Sequence, residues 1–205
     1  GWLPIQKQKH FFSAGTSFEQ LIMWRRQYDE YLAYVDAEFG RLVNELERTG
    51  QLENTYLILT SDHGQLFERG IHGHITPVMF EPLIRIPLII SCPGQKTRQD
   101  VYSLTSAVDL LPSLLHVVGE PIPSWCEGEL LPGLGGEGLP DRQVFALEAK
   151  ESSKWGVLQK WTATVLKKQK KLVHYFGYPG YDGIEELYNL EDDPQEQSNL
   201  AKTCK

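Results

Sequence analysis

The sequence predicts an α/β region followed by a small antiparallel sheet, an α+β arrangement, and three observations carry that prediction. A long stretch of helical periodicity runs into an apolar strand, Thr55-Tyr56-Leu57-Ile58-Leu59, that ends in Thr60-Ser61-Asp62-His63-Gly64. A second apolar run, Arg85-Ile86-Pro87-Leu88-Ile89-Ile90-Ser91, has the length and composition of a buried strand. Beyond Asp141 the pattern changes to short β-branched and aromatic runs joined by turns, the signature of an antiparallel sheet.

Taken in order, Phe18, Leu21, Ile22, Tyr28, Leu32, Val35, Phe39, Leu42, Val43 and Leu46 recur at helical spacing. Ser17 with Gln20 offers a capping box at the start, and Gly50 a stop at the end. The opposite face mixes charges of both signs, as a solvated face does. In the second apolar run Pro87 has no donor, which places it at a strand start or an edge. Thr105 to Val118 repeats as a helix closed by Gly119 and Pro121, with Pro112 kinking it or marking its first turn. Glu120 to Asp141 is dense in Gly and Pro and reads as a loop over the surface. Val144 to Glu148, Trp155 to Leu166 and Lys170 to Phe176 then read as strands. The expected division is 1–119 for the α/β part, 120–141 for the linker and 142–205 for the antiparallel sheet.

Composition bounds the function. With 41% hydrophobic and 23% charged residues the chain can bury a core, and a net charge of -7 argues against nucleic acid as a partner. Lys167-Lys168-Gln169-Lys170-Lys171 is a local exception, read as a solvated hairpin or strand edge. Cys92, Cys126 and Cys204 form neither a disulfide framework nor a zinc spacing, and leave the compartment open. No run approaches the roughly 18 apolar residues of a membrane span, so no membrane partner is expected.

Asp62 and His63 carry the chemistry. A carboxylate and an imidazole side by side at a strand end can bind a divalent cation, because open α/β folds hold ligands at strand termini. Read alone, Asp62 could equally cap a turn, with His63 a satisfied loop histidine. A Gly- and His-rich segment follows, ending Ile71-His72-Gly73-His74.

The order of these motifs, continued by Glu81-Pro82, Val108-Asp109-Leu110-Leu111-Pro112-Ser113-Leu114-Leu115 and Glu186-Leu187-Tyr188-Asn189-Leu190 into Asp192-Asp193-Pro194, resembles the C-terminal half of the sulfatase family, within the alkaline phosphatase superfamily. The resemblance implies part of an alkaline-phosphatase-like α/β sheet and metal-assisted hydrolysis of a sulfuric ester. Asp62 and His63 would ligate the ion, calcium or magnesium, with manganese or zinc as alternatives. The family's nucleophile is a formylglycine made from Cys or Ser in Cys/Ser-x-Pro-x-Arg. Many sulfatases bind sulfate with a Lys where this chain has His74, which could donate a hydrogen bond or pass a proton; His72 is the second candidate for that work. Glu81 and Arg85 match a family pattern and read as an ion pair holding the loop.

No Cys or Ser here fits the nucleophile motif, since Ser91-Cys92-Pro93-Gly94-Gln95 has Gln where Arg is required. The expectation is therefore a C-terminal portion, inactive alone, whose nucleophile and remaining ligands lie in an N-terminal portion. Apolar surface left uncovered would pair with that portion or make a homo-oligomer. The substrate would be a sulfate ester. Alternatives are a phosphate ester, as in a phosphodiesterase or phosphonate monoester hydrolase, and a non-catalytic interaction module. Trp155, Trp161, Tyr175, Tyr178 and Tyr181 read as packing rather than as a substrate surface.

Overall fold

The computed structural model describes residues 4–152 and 156–202. Trp155 and Cys204, both singled out above, lie outside the described residues. The chain forms two compact units, one of Gly1–Thr76 with Pro82–Arg98, the other of Pro77–Glu81 with Gln99–Lys205.

The first unit is led by α1 (Phe18–Arg48). The Ser17 hydroxyl accepts the Gln20 N–H at 3.2 Å, satisfying one of the donors that a helix start leaves free. At the other end Gly50 adopts φ 71°, the left-handed conformation that carries the chain out of a helix. Leu21 is the one fully buried residue of α1. Trp24 and Tyr28 pack their rings on His72 and Phe67, whereas Tyr31, Leu32, Val35 and Leu42 farther along the apolar stripe are exposed.

Strand β1 (Leu57–Thr60) follows a short 3-10 turn, and a hairpin of β2 (Leu66–Glu68) and β3 (Ile71–Gly73) comes next. Arg69 and Gly70 form its two-residue turn with φ 56° and 73°. Positive φ at both central residues matches the right-handed twist of the flanking strands. A one-turn helix, α2 (Glu81–Ile84), leads to β4 (Leu88–Ser91), which pairs antiparallel with β1, Thr60 lying opposite Leu88. The second apolar run is thus a strand only after Pro87, and it is half open instead of buried, Ile89 being 60% exposed.

In the second unit a 3-10 turn runs into α3 (Leu110–Val118). Pro112 falls in the first turn of α3, where a backbone N–H has no partner inside the helix. Gly119 closes α3 at φ 77°. Residues 120–142 hold no helix or strand beyond a bridge between Pro132 and Gly136, yet Leu131 and Leu134 are buried. Strands β5 (Gln143–Ser152), β6 (Leu158–Lys167), β7 (Lys170–Phe176) and β8 (Glu185–Asn189) then form one antiparallel sheet in sequence order.

This sheet buries its more polar face. The registers put Thr162, Thr164, Lys171, Tyr175, Glu186 and Tyr188 on one side, all buried, and Phe145, Leu147 and Phe176 on the other, all exposed. Burial of polar groups is tolerated when they are hydrogen-bonded. Glu186 accepts from the hydroxyls of Tyr175 at 3.1 Å, Tyr181 at 2.8 Å and Tyr188 at 3.1 Å. Burial, reinforced by that carboxylate, holds the Tyr175 and Tyr181 hydroxyls well above the ordinary phenol range.

Two sequence expectations are corrected in this unit. Lys171 is not part of a solvated basic edge: its side chain is fully buried, with Nζ 2.8 Å from Glu196 Oε1 and 3.1 Å from Glu81 Oε1. Strand alternation is the reason, since Lys170 and Lys171 face opposite sides of β7. Glu81 accordingly finds its cation in Lys171 rather than in Arg85, and its backbone N–H donates to Glu196 Oε2 at 2.8 Å. Burial pushes the Glu196 carboxyl above its ordinary range, while Lys171 pulls it back.

Candidate functional site

Asp62 and His63 lie just past the end of β1, on a turn whose path is set by backbone contacts to α2. Gly64 N–H donates to Leu83 O at 2.7 Å and Gln65 N–H to Pro82 O at 3.0 Å. The approach is close enough that a Cβ on Gly64 would sit 2.1 Å from Pro82 O. The glycine after the Asp-His pair is therefore required by contact with another strand of backbone. Gly64→Ala is expected to cost about 1–3 kcal/mol, the scale of overpacking, read as a lowered urea midpoint.

The pair itself is open to solvent, with 87% of the Asp62 and 42% of the His63 side chain exposed. Asp62 Oδ1 accepts the His63 backbone N–H at 2.9 Å, which leaves Oδ2 facing outward. His63 Nδ1 lies 2.8 Å from Gly64 O. A carbonyl oxygen only accepts, so Nδ1 carries the proton, and in the neutral ring Nε2 presents its lone pair. That lone pair lies 3.6 Å from Asp62 Oδ2. Neutral His63 has no proton to place between the two atoms, and a cation would satisfy both. Tying the far ring nitrogen to a carbonyl is how metal-binding histidines have their tautomer fixed.

The two histidines after the hairpin part company. His74, beyond β3, stacks on His63 with ring centroids 4.1 Å apart and planes at 29°, and its Nδ1 lies 3.1 Å from Gln65 Oε1. His72 sits within β3 opposite Phe67 and packs on Trp24 at 4.3 Å and on Phe67 at 5.4 Å. The structure thus gathers Asp62, His63 and His74, and turns His72 toward α1. Gln65 was missed from sequence, where nothing marks it. The hairpin that carries His72 was also missed: Arg69-Gly70, flanked by Glu68 and Ile71, offers a glycine but none of the usual two-residue turn pairs.

As a donor set for a divalent ion, one hard carboxylate oxygen and one bared imidazole nitrogen fit as two ligands. Among the described residues no group of three or more His, Cys, Asp or Glu comes together that could hold a metal by itself. Nor is any helix among them long and apolar enough to cross a membrane.

Comparison with known proteins identifies the family. Residues 5–120 match the family model Sulfatase, and residues 70–205 match the model N-sulphoglucosamine sulphohydrolase, C-terminal. The N-acetylglucosamine-6-O-sulfatase of Bacteroides thetaiotaomicron is 32% identical over 209 residues, covering 88% of this chain and 33% of that protein. A protein solved in complex with its substrate D-glucosamine-2-N,6-O-disulfate superposes with a TM-score of 0.63 at 30% identity, over 84% of this chain and 36% of that one. The phosphonate monoester hydrolase of Silicibacter pomeroyi superposes with a TM-score of 0.67 at 27% identity, over 83% of this chain and 35% of that one. The chain spans about a third or less of the length of the curated relatives it matches. With the Asp-His turn inside the first family model and the four-stranded sheet inside the second, the chain belongs to the sulfatase family and corresponds to the C-terminal portion of its members.

Proposed function

We propose that this chain takes part in the metal-assisted hydrolysis of a sulfate ester, contributing Asp62 and His63 as two ligands of a divalent cation and His74 as a group that meets the substrate. The observation that carries the reading is the placement of Asp62 Oδ2 and His63 Nε2 3.6 Å apart just past a strand end, with the other ring nitrogen of His63 tied to Gly64 O. Calcium or magnesium suits the carboxylate, and manganese or zinc would suit the imidazole. When bound, such an ion polarises the ester oxygens and withdraws the negative charge that builds up as the ester bond breaks. The remaining donors and the nucleophile come from outside the described residues. A further segment of the same protein, or a second copy, is the proposed source, and the exposed apolar stripe of α1 supports a partner surface.

The chain's own share of the chemistry is positional. Asp62 and His63 hold their donors outward from a turn pinned by α2. His74, with Nδ1 at Gln65, has Nε2 left for substrate: as imidazolium it would give that proton to the leaving oxygen when the sulfur–oxygen bond breaks, and as imidazole it would accept one. His72, packed on Trp24, is assigned to holding the hairpin on α1. Hydrolysis of a phosphate or phosphonate ester is the second reading, favoured by the likeness to the phosphonate monoester hydrolase.

Calorimetric titration of calcium, magnesium and manganese into the protein, with and without Asp62→Ala and His63→Ala, tests the cation assignment. Each substitution is expected to weaken binding at least about tenfold, since even outer partners of metal ligands are worth that much. Unchanged affinity in both variants would remove the basis of the proposal. Turnover of 4-nitrophenyl sulfate against 4-nitrophenyl phosphate, measured with the cation and the nucleophile-bearing portion supplied, separates the two ester classes.

A further inference from the structure

We infer that Gln65 is a positioning residue for His74, selecting the ring form in which Nδ1 holds the proton and Nε2 is bare. The inference rests on the reading of His74 as the group that meets the substrate. Two contacts constrain the His74 ring, and they do different work. The stack on His63 fixes the plane of the imidazole but leaves its two nitrogen-bearing edges interchangeable by a half-turn about the Cβ–Cγ bond. With the Gln65 amide presenting its oxygen, the contact between Nδ1 and Oε1, at 3.1 Å, breaks that symmetry, because an amide oxygen accepts and cannot donate.

Gln65 is itself well placed for the task. Its backbone N–H is tied to Pro82 O at 3.0 Å, and the next residue, Leu66, is fully buried, so the amide projects from a fixed base. His74 by contrast is exposed and follows Gly73 at φ 103°, a backbone that imposes little on the residue after it. A free neutral histidine in water favours the proton on Nε2, the opposite form. Gln65 therefore supplies the bias that puts a bare Nε2 on the outward edge. The parallel with His63, whose Nδ1 proton goes to Gly64 O, is direct: neighbouring residues of one turn set the two stacked rings in the same tautomer.

Long-range proton–nitrogen correlation spectra of the 15N-labelled protein, recorded at a pH where the imidazoles are neutral, read the tautomer of each ring directly. The wild type is expected to show a protonated Nδ1 on His74, and Gln65→Leu to shift the proton to Nε2. Gln65→Glu, which keeps an acceptor, should retain the wild-type pattern. The His63 signals in the same spectra report that the turn is intact. With the cation and the nucleophile-bearing portion supplied, Gln65→Leu should lower kcat for 4-nitrophenyl sulfate about tenfold with KM within about twofold, the scale of an outer hydrogen-bond partner.

An unprotonated Nδ1 on wild-type His74, or a tautomer unmoved by Gln65→Leu, overturns the inference. His74→Ala keeps the two readings apart. A loss of turnover there without one in Gln65→Leu defeats the role of Gln65 alone, whereas unchanged turnover in both defeats the assignment of His74.

Discussion

Lys171→Met is expected to destabilise the second unit by about 3–5 kcal/mol, seen as a lowered urea midpoint with the tyrosine fluorescence of the sheet as probe. Lys171 Nζ is fully buried between the Glu196 and Glu81 carboxylates, so a side chain of similar length without the charge leaves two acids facing each other out of water. The deficit should depend on pH, with a definite sign. Burial already raises the Glu196 carboxyl above its unfolded value, and Lys171 opposes that rise. A carboxyl raised in the folded state gives stability that is whole below the unfolded value, about 4.3, and is lost as pH climbs through the folded one. Removing Lys171 enlarges the rise, so the variant loses most at neutral pH and the gap to wild type narrows in acid. Glu196→Gln added to Lys171→Met should recover part of the loss, because one of the uncompensated charges is gone. Equal deficits at pH 4 and pH 7 would rule this account out.

The same lysine marks the limit of what the sequence could convey. Helix α1 was legible to within a residue or two because its signals are local: a hydroxyl at Ser17, a glycine at Gly50 and apolar spacing between them. Strand β7 was legible for the same reason, whereas β8 was not read as a strand. Lys171 was misread because period-two alternation says that neighbours on a strand face opposite ways but not which face is covered. In this sheet the covered face is the one rich in Tyr, Thr, Lys and Glu, the reverse of what hydropathy suggests. The candidate site divides in the same manner. Asp62 and His63 stood out as adjacent ligand types at a strand end. The separation of His74 from His72 depends on the end of β3 at Gly73, with φ 103°, and on an aromatic partner more than forty positions upstream, Trp24, which no local pattern encodes.

Arg142→Met is expected to have an effect of the same size, about 3–5 kcal/mol, with a different readout. Asp109 has no exposed surface, and Arg142 meets it with both terminal nitrogens, Nη1 to Oδ2 at 2.6 Å and Nη2 to Oδ1 at 2.5 Å. The carboxylate holds the guanidinium above even its usual range. Asp109 also accepts the backbone N–H of Ser106 at 2.7 Å and of Glu129 at 3.0 Å, while Ser113, bonded to Asp109 O, accepts the N–H of Leu131. One buried acid at the start of α3 thereby ties down the Gly- and Pro-rich stretch that follows the helix. With Arg142 gone, the two backbone donors alone must carry a full buried charge, which they do poorly. The loop should loosen before the sheet does, so limited subtilisin digestion is expected to cut first between residues 120 and 141 in the variant and not in the wild type. Arg142→Lys should restore only part of the protection, because an ammonium cannot reproduce the two-pronged contact. Protection equal to wild type in Arg142→Met would mean that the apolar anchors Leu131 and Leu134, and not the buried ion pair, keep the loop in place.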